Sequence, residues 1–476
     1  MIEVGTFLTN RIIGIKKHTD KFFYGEYYLG YLTLFAAFFY CAYTPLLNVC
    51  AFALLGCFLL ITYRDLTPII PIPIFIVLGI RDFSVFSSPV CYVVLALAAL
   101  AIIAHFFIYP IKKIFIGKLF FPLVAVSVAL FLGGIFSEHE STYFNGIVTM
   151  VSVGPVMLFA YFWFSQYICP PKDFRLTNYI FSVFTFVGVC CFIEIYAHVL
   201  IHIKDNGELF YHVLGWGNIN SAGTLLLLAL ASCSYLIFYG KHRLRNVIFL
   251  ILIYAAIFST GSDGVTGIAV IFTPIIMFFT ITSGKLKSNK YQVFVKICTA
   301  LLSAIILAAL VIILLDKQNE LLDYVLIKLS NDNRRTELYL EAWDLFKKYP
   351  IFGVGQGYSP TESFLQYSFT ITYNFHSSIV HVLATMGIVG AATYVYYFIA
   401  RYRILMHQHL PVNLFAYFAF TMFEIYAAID TAEFSPIPLL LGVTLLLVTV
   451  EQINVRSSTQ PLPLSLNSHD RKFIKL

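Results

Sequence analysis

The chain has 476 residues, of which 59% are hydrophobic and 12% charged, and its formal net charge is +6. Its mean hydropathy is +0.82, and 47 Phe and 31 Tyr stand against 3 Trp. A soluble domain carries about 25% charged residues. Half that share, with runs of about 20 apolar residues, excludes a water-soluble globule, a disordered chain and a fibre. The alternating ten-residue pattern of an outer-membrane barrel is also missing. The composition predicts an all-α polytopic membrane protein.

Residues 1–26 form a polar, basic segment without the apolar core of a signal peptide, so insertion is expected to begin at the first span. Apolar runs place spans near 27–44, 46–63, 66–80, 89–109, 118–136, 147–168, 177–203, 219–239, 246–260, 264–282, 293–315, 376–400, 411–429 and 436–451. The third is short and carries Pro68, Pro71 and Pro73. About 12–14 transmembrane helices are therefore expected: a bundle over 27–315, then C-terminal helices over 376–451. With the N-terminus inside, 23 Lys and Arg fall in cytoplasmic segments, Arg401 and Arg403 among them, and 8 on the opposite side. That asymmetry follows the positive-inside rule and puts both termini, including the tail 452–476, in the cytoplasm. Nine cysteines lie in or beside apolar runs with no CxxC pair, which argues against disulfides and against a thiolate metal site. No metal, cofactor or nucleic-acid partner is expected.

Two outside segments break the run of short loops: 203–217, and the much longer 316–373 of 58 residues. No internal repeat of the kind that marks many transporters is visible. A loop that long is uncommon unless it has a function, and 316–375 is read as an extracytoplasmic catalytic loop. Within it, 336–349 places Leu338, Ala342 and Leu345 on one helical stripe and Tyr339, Trp343 and Phe346 on the next, with Thr336 as N-cap and Pro350 as terminator. Such a helix suits the membrane interface, where Trp343 and Tyr349 would anchor it among lipids. The glycine-rich turn Gly353-Val354-Gly355 follows, without the strand and helix of a nucleotide site.

Next comes Asn374-Phe375-His376-Ser377, where the loop re-enters the membrane. Nine residues separate Ser377 from Gly387, and Gly387 with Gly390 permits close helix packing. An imidazole there can accept a proton near neutral pH; equally, it can simply cap a helix at the interface. Arg334 and Arg335 match phosphate oxygens in geometry and charge; paired with Asp332 and Glu337, they would be solvated loop charges. Glu194, His198 and His202 share one face of the seventh span, and Glu424 sits in a later one. Intramembrane carboxylates are costly and often functional, so Glu194, His198 and Glu424 are candidates for a polar cavity. HxxxH without a companion glutamate is weak as a zinc site.

The order Arg334-Arg335, the helix with Glu341-Ala342-Trp343, Pro350-Ile351-Phe352-Gly353-Val354-Gly355, then His376-Ser377 and Gly387-x-x-Gly390 resembles the signature region of the O-antigen ligase and O-antigen polymerase superfamily. Gly217-Asn218-Ile219-Asn220-Ser221-Ala222-Gly223 and Thr260-Gly261-Ser262-Asp263-Gly264 are similar to it as well. The resemblance implies inverting, metal-independent glycosyl transfer at the outer face of the bacterial cytoplasmic membrane. The donor would be a glycan on undecaprenyl diphosphate and the acceptor another glycan or a lipid, with a chain-length regulator as an optional partner. His376 would be the general base and Arg334 and Arg335 the diphosphate ligands, while Asn220, Gly353, Gly355, Ser377, Gly387 and Gly390 carry the motifs. Arg334 and Leu338 also match the Arg-x-x-x-Leu of ligases, and His-Ser in place of His-Asn is closer to the ligase pattern. Where the family has Ser-Arg-Gly, this chain has Ser262-Asp263-Gly264. Arg81 and Lys204, the only other outside basic residues beyond the long loop, could supply the missing contact. A polymerase joining repeat units remains the alternative, and a lipid-linked glycan transporter a more distant one.

Overall fold

The computed structural model describes residues 20–138, 141–171, 174–206, 214, 217, 219–282, 335–358, 375–408 and 410–459. Every regular element among them is helical. The chain runs through α1 (Glu26–Cys41), α2 (Pro45–Thr62), α3 (Ile72–Leu78), α4 (Pro89–Ile108), α5 (Phe120–Leu132), α6 (Ser141–Val153) and α7 (Pro155–Tyr167). It continues through α8 (Leu176–Asn206), α9 (Ile219–Tyr239), α10 (Arg243–Ser259) and α11 (Asp263–Thr282). Beyond the undescribed stretch lie α12 (Arg335–Lys348), α13 (Ser378–Leu405), α14 (Pro411–Ile429) and α15 (Leu441–Thr459). Eight helices among the described residues are long and apolar enough to cross a membrane. This is the expected all-α polytopic membrane protein; the span expected at 293–315 lies outside the described residues.

Helix breaks follow the sequence chemistry. The expected span at 66–80 does not form one straight helix: proline removes amide donors and clashes with the preceding turn, and what forms is a 3₁₀ turn and the seven-residue α3. Seven residues rise only about 10 Å, against a hydrocarbon core of about 30 Å. Likewise Gly154-Pro155 divides the span expected at 147–168 into α6 and α7. The 31 residues of α8 rise about 46 Å, so this helix outruns the core at one end.

Burial sorts the helices. In the spanning part of α9, 89% of residues are buried, against 22% in α4. Helix α9 is the central post and packs on α8, α10, α11 and α14. On the periphery, Leu34, Phe38, Leu54, Val93 and Leu100 expose more than half their surface, which apolar residues do without cost where lipid is the solvent. The eight described cysteines are unbonded.

The element that shapes the functional end is α13. It is two arms, 378–386 and 388–405, joined at Gly387 with φ 61° and ψ −154°. A left-handed glycine costs little there, and it interrupts the hydrogen-bond ladder. The glycine-rich turn repairs that break. The amides of Val354 and Gly355 donate to the carbonyls of Ala384 and Thr385 (2.8 and 2.9 Å), and those of Ile388 and Val389 donate to Pro350 and Ile351 (2.9 and 3.1 Å). Turn and broken helix therefore satisfy each other's orphan backbone groups, as buried polar groups require.

Candidate functional site

Helix α12 forms as its pattern dictates. Leu338, Ala342 and Leu345 are buried and pack with Val354, Phe375 and Ala384, while Trp343 stays exposed and stacks on Phe346 at 5.4 Å. The helix starts at Arg335, one residue before the expected cap at Thr336. Its adjacent stripe reaches the candidate base, because the Tyr339 hydroxyl donates to the carbonyl of His376 (3.1 Å). Tyr358 ties the glycine-rich turn back to the helix by donating to Glu341 (3.0 Å).

His376 takes φ 48°, a left-handed conformation that non-glycine residues adopt sparingly and that clusters at functional sites. Ser377 follows as the N-cap of the first arm of α13, its side chain accepting from the Val380 amide. The imidazole is more than a third exposed, and its Nδ1 stands 3.7 Å from Oδ1 of Asp430. That gap is too long for a hydrogen bond, and Nδ1 has no hydrogen-bond partner among the described residues. Catalytic contacts of this kind are often loose before substrate binds.

Asp430 is mostly buried and firmly held. Its backbone carbonyl accepts from the amide and hydroxyl of Ser378 (3.0 and 3.2 Å). Its carboxylate accepts from the Thr431 amide (2.7 Å) and the Tyr426 hydroxyl (3.3 Å). That hydroxyl also lies 3.5 Å from Ser262 Oγ, so the Thr260–Gly264 motif abuts the same carboxylate. A β-carbon at Gly264 would meet Ile429 at 2.8 Å, so glycine is what lets α11 approach α14 there. Beside the pair is a cavity of about 480 Å³, with Asn220, Ser221, Tyr426, Asp430, Thr431 and Ser435 on its wall. Asn220 lines this cavity itself, whereas Ser262 and His376 are not on its wall and reach it through the lining residues Tyr426 and Asp430.

Two further clusters brace it. On the first arm, Nε2 of buried His381 donates to Oε1 of Gln356 (2.9 Å), whose Nε2 donates to Thr385 (2.7 Å). Below, Arg401 on the second arm is almost wholly buried, with Nη1 3.0 Å from Glu424 and in contact with Glu433. Arg401 therefore does not sit in a solvated loop with Arg403; its charge is neutralised inside the bundle. Glu424 is its ion-pair partner and is not on the cavity wall.

The other sequence candidates scatter. Glu194 and His198 are buried within α8 and do not line the cavity; Glu194 accepts from the Cys190 thiol (3.1 Å). Arg81 lies over the Tyr43 ring at 5.3 Å, between the cavity-lining residues Val77 and Phe86 but not itself on the wall. Arg334 lies outside the described residues, as do the side chains of Arg335, Lys204 and His202. Gly353, Gly355 and Gly387 belong to the mutual repair of turn and helix, and Gly390 packs within α13 against Met386 and Val382; none is on the cavity wall. Among the described residues, no three His, Cys, Asp or Glu side chains are grouped to hold a metal ion. Sequence reasoning missed Asp430, Tyr426 and the Gln356–His381 pair; an acid ending one span just before the proline-rich start of the next was the available signal for Asp430.

A bundle of helices long and apolar enough to cross a membrane, with a histidine–carboxylate pair near a cavity, defines a multi-pass membrane protein. Residues 248–395 match the family model described as O-Antigen ligase, so this part of the chain is similar to the O-antigen ligase/polymerase superfamily. The matched segment contains α12, the glycine-rich turn, His376 and the broken helix α13. No curated protein matches the chain.

Proposed function

We propose that the protein is a ligase-type membrane glycosyltransferase that moves a glycan from undecaprenyl diphosphate to an acceptor hydroxyl at the outer face of the bacterial cytoplasmic membrane. The observation that carries this reading is that Asp430 faces His376 and also lines a cavity whose largely apolar wall carries the Asn220 amide and the hydroxyls of Ser221, Thr224, Tyr426, Thr431 and Ser435. Such groups hydrogen-bond to sugars without demanding a charge.

In the proposed step the acceptor oxygen attacks the anomeric carbon from the face opposite the diphosphate, so the configuration inverts. The new C–O bond forms as the bond to the diphosphate breaks, and the hydroxyl proton passes to His376. Asp430 orients the imidazole and stabilises the imidazolium, as a buried carboxylate does beside a catalytic histidine. The diphosphate leaves with its charge matched by arginine, for which Arg334 and Arg335 at the head of α12 are the candidates. Arg81 and Lys204 are secondary candidates for the same anion.

The test is a strain lacking this gene, complemented with the native chain or with His376→Ala, examined for surface glycan and lipid-linked intermediates. Long chains retained on undecaprenyl diphosphate support the ligase reading. Single repeat units on the acceptor turn it into a polymerase. Intermediates trapped in the cytoplasmic leaflet, protected from added glycosidase, contradict both and indicate a transporter.

A further inference from the structure

We propose that Arg401 is a positioning residue, which acts through Glu433 to hold the turn that brings Asp430 to His376. Between α14 and α15 the chain does not loop out into solvent. From Asp430 it enters a 3₁₀ turn at 432–434 and then the short Pro436–Leu440 element, and this stretch supplies half of the cavity wall. Two contacts hold the turn inside the bundle. Phe434 is wedged between the arms of α13, with ring centroids 4.3 Å from His381 and 5.8 Å from Tyr394. Glu433, one residue earlier and buried, meets the Arg401 guanidinium.

The guanidinium is built into its place. It lies over the Tyr397 ring at 4.0 Å and near Phe420 at 4.9 Å, while Nη1 bridges Glu433 on the turn and Glu424 on α14. The planar guanidinium lies over an aromatic face while its Nη1 reaches both carboxylates; a lysine would keep the charge and lose the plane. A buried carboxylate stripped of its cation is strongly disfavoured. Without Arg401, therefore, Glu433 is driven out of the bundle, and Asp430, three residues away, moves with it. Tyr394, Tyr397, Tyr402, Glu424 and Glu433 are the titratable groups around the guanidinium, from α13, α14 and the turn.

This rests on the reading of His376 and Asp430 as the reacting pair, so its test separates the two. Amide hydrogen exchange is measured on the purified full-length protein in nanodiscs for Arg401→Met, Arg401→Lys and Glu433→Gln, alongside glycan transfer. Exchange at Thr431, Phe434 and Ser435, whose amides are hydrogen-bonded in the native turn, is expected to rise at least about tenfold in Arg401→Met. The amides of α9 should stay protected, and Arg401→Lys should recover part of both turn protection and transfer. Unchanged exchange in the turn of Arg401→Met overturns the proposal, even if transfer is lost. Should that variant fail to fold, the nearly isosteric Glu433→Gln is read by the same criterion. Faster exchange with normal transfer supports the anchoring role and overturns the assignment of Asp430 to the reaction.

Discussion

Asp430 presents Oδ1 3.7 Å from Nδ1 of His376, across 54 residues of sequence and between the N-terminus of one helix and the C-terminus of another. Asp430 is fixed by Ser378 on its backbone carbonyl and by Thr431 and Tyr426 on its carboxylate, whereas the imidazole of His376 is more than a third exposed, so the pair has one fixed member and one open to a ligand. Asp430→Asn keeps the shape and removes the charge that stabilises an imidazolium. Transfer is expected to fall about a hundredfold or more, measured as kcat/KM with lipid-linked donor, without loss of folded protein.

Tyr339 holds the same histidine by its backbone, at 3.1 Å. Tyr339→Phe removes one hydrogen bond of about 1 kcal/mol. Transfer should therefore drop severalfold, far less than for Asp430→Asn. An effect as large as that of Asp430→Asn would mean that the tyrosine hydroxyl itself takes part in the chemistry.

Gly387 joins the arms of α13 at φ 61°, and a β-carbon there would sit 2.5 Å from the Ile351 carbonyl oxygen. Gly387→Ala should destabilise the protein by at least about 1–3 kcal/mol and detach the glycine-rich turn. Gly442→Ala is the control, since its β-carbon would meet Phe184 at 3.4 Å, an ordinary contact. Thermal unfolding midpoints should fall for Gly387→Ala and stay close to native for the control.

Burial and the Glu341 carboxylate push the Tyr358 hydroxyl up from 10.0 to about 12. Because the folded value lies above the unfolded one, the contact's contribution is complete below about pH 10 and is lost as pH rises toward about 12. The turn should loosen from α12 over that alkaline window, seen as faster amide exchange across 350–358. In Tyr358→Phe this part of the pH dependence should disappear.

Much of the architecture was legible because lipid imposes one rule, that every spanning backbone group must be satisfied within the protein, which a continuous helix does by itself. Leu338, Ala342 and Leu345 showed their buried face by spacing alone, and Gly387 stood out beside His376 as a motif. Asp430 and Arg401 did not. Each is defined by partners 54 and 32 residues away, and no local period encodes that pairing. Arg401 also sits next to Arg403 after a long apolar run, where side-counting reads both as charges flanking the membrane. Nor does a hydropathy average distinguish a straight helix from two arms folded at a glycine, so the seat of Phe434 between His381 and Tyr394 became visible only in three dimensions.

The proposed role of His376, taking the acceptor's proton beside Asp430, is tested most directly by transfer from a lipid-linked glycan donor. Purified native protein and His376→Ala are compared in vesicles at equal folded amounts. His376→Ala is expected to lose transfer by about a hundredfold or more while still binding the donor. Transfer at a rate close to native in His376→Ala would contradict that role.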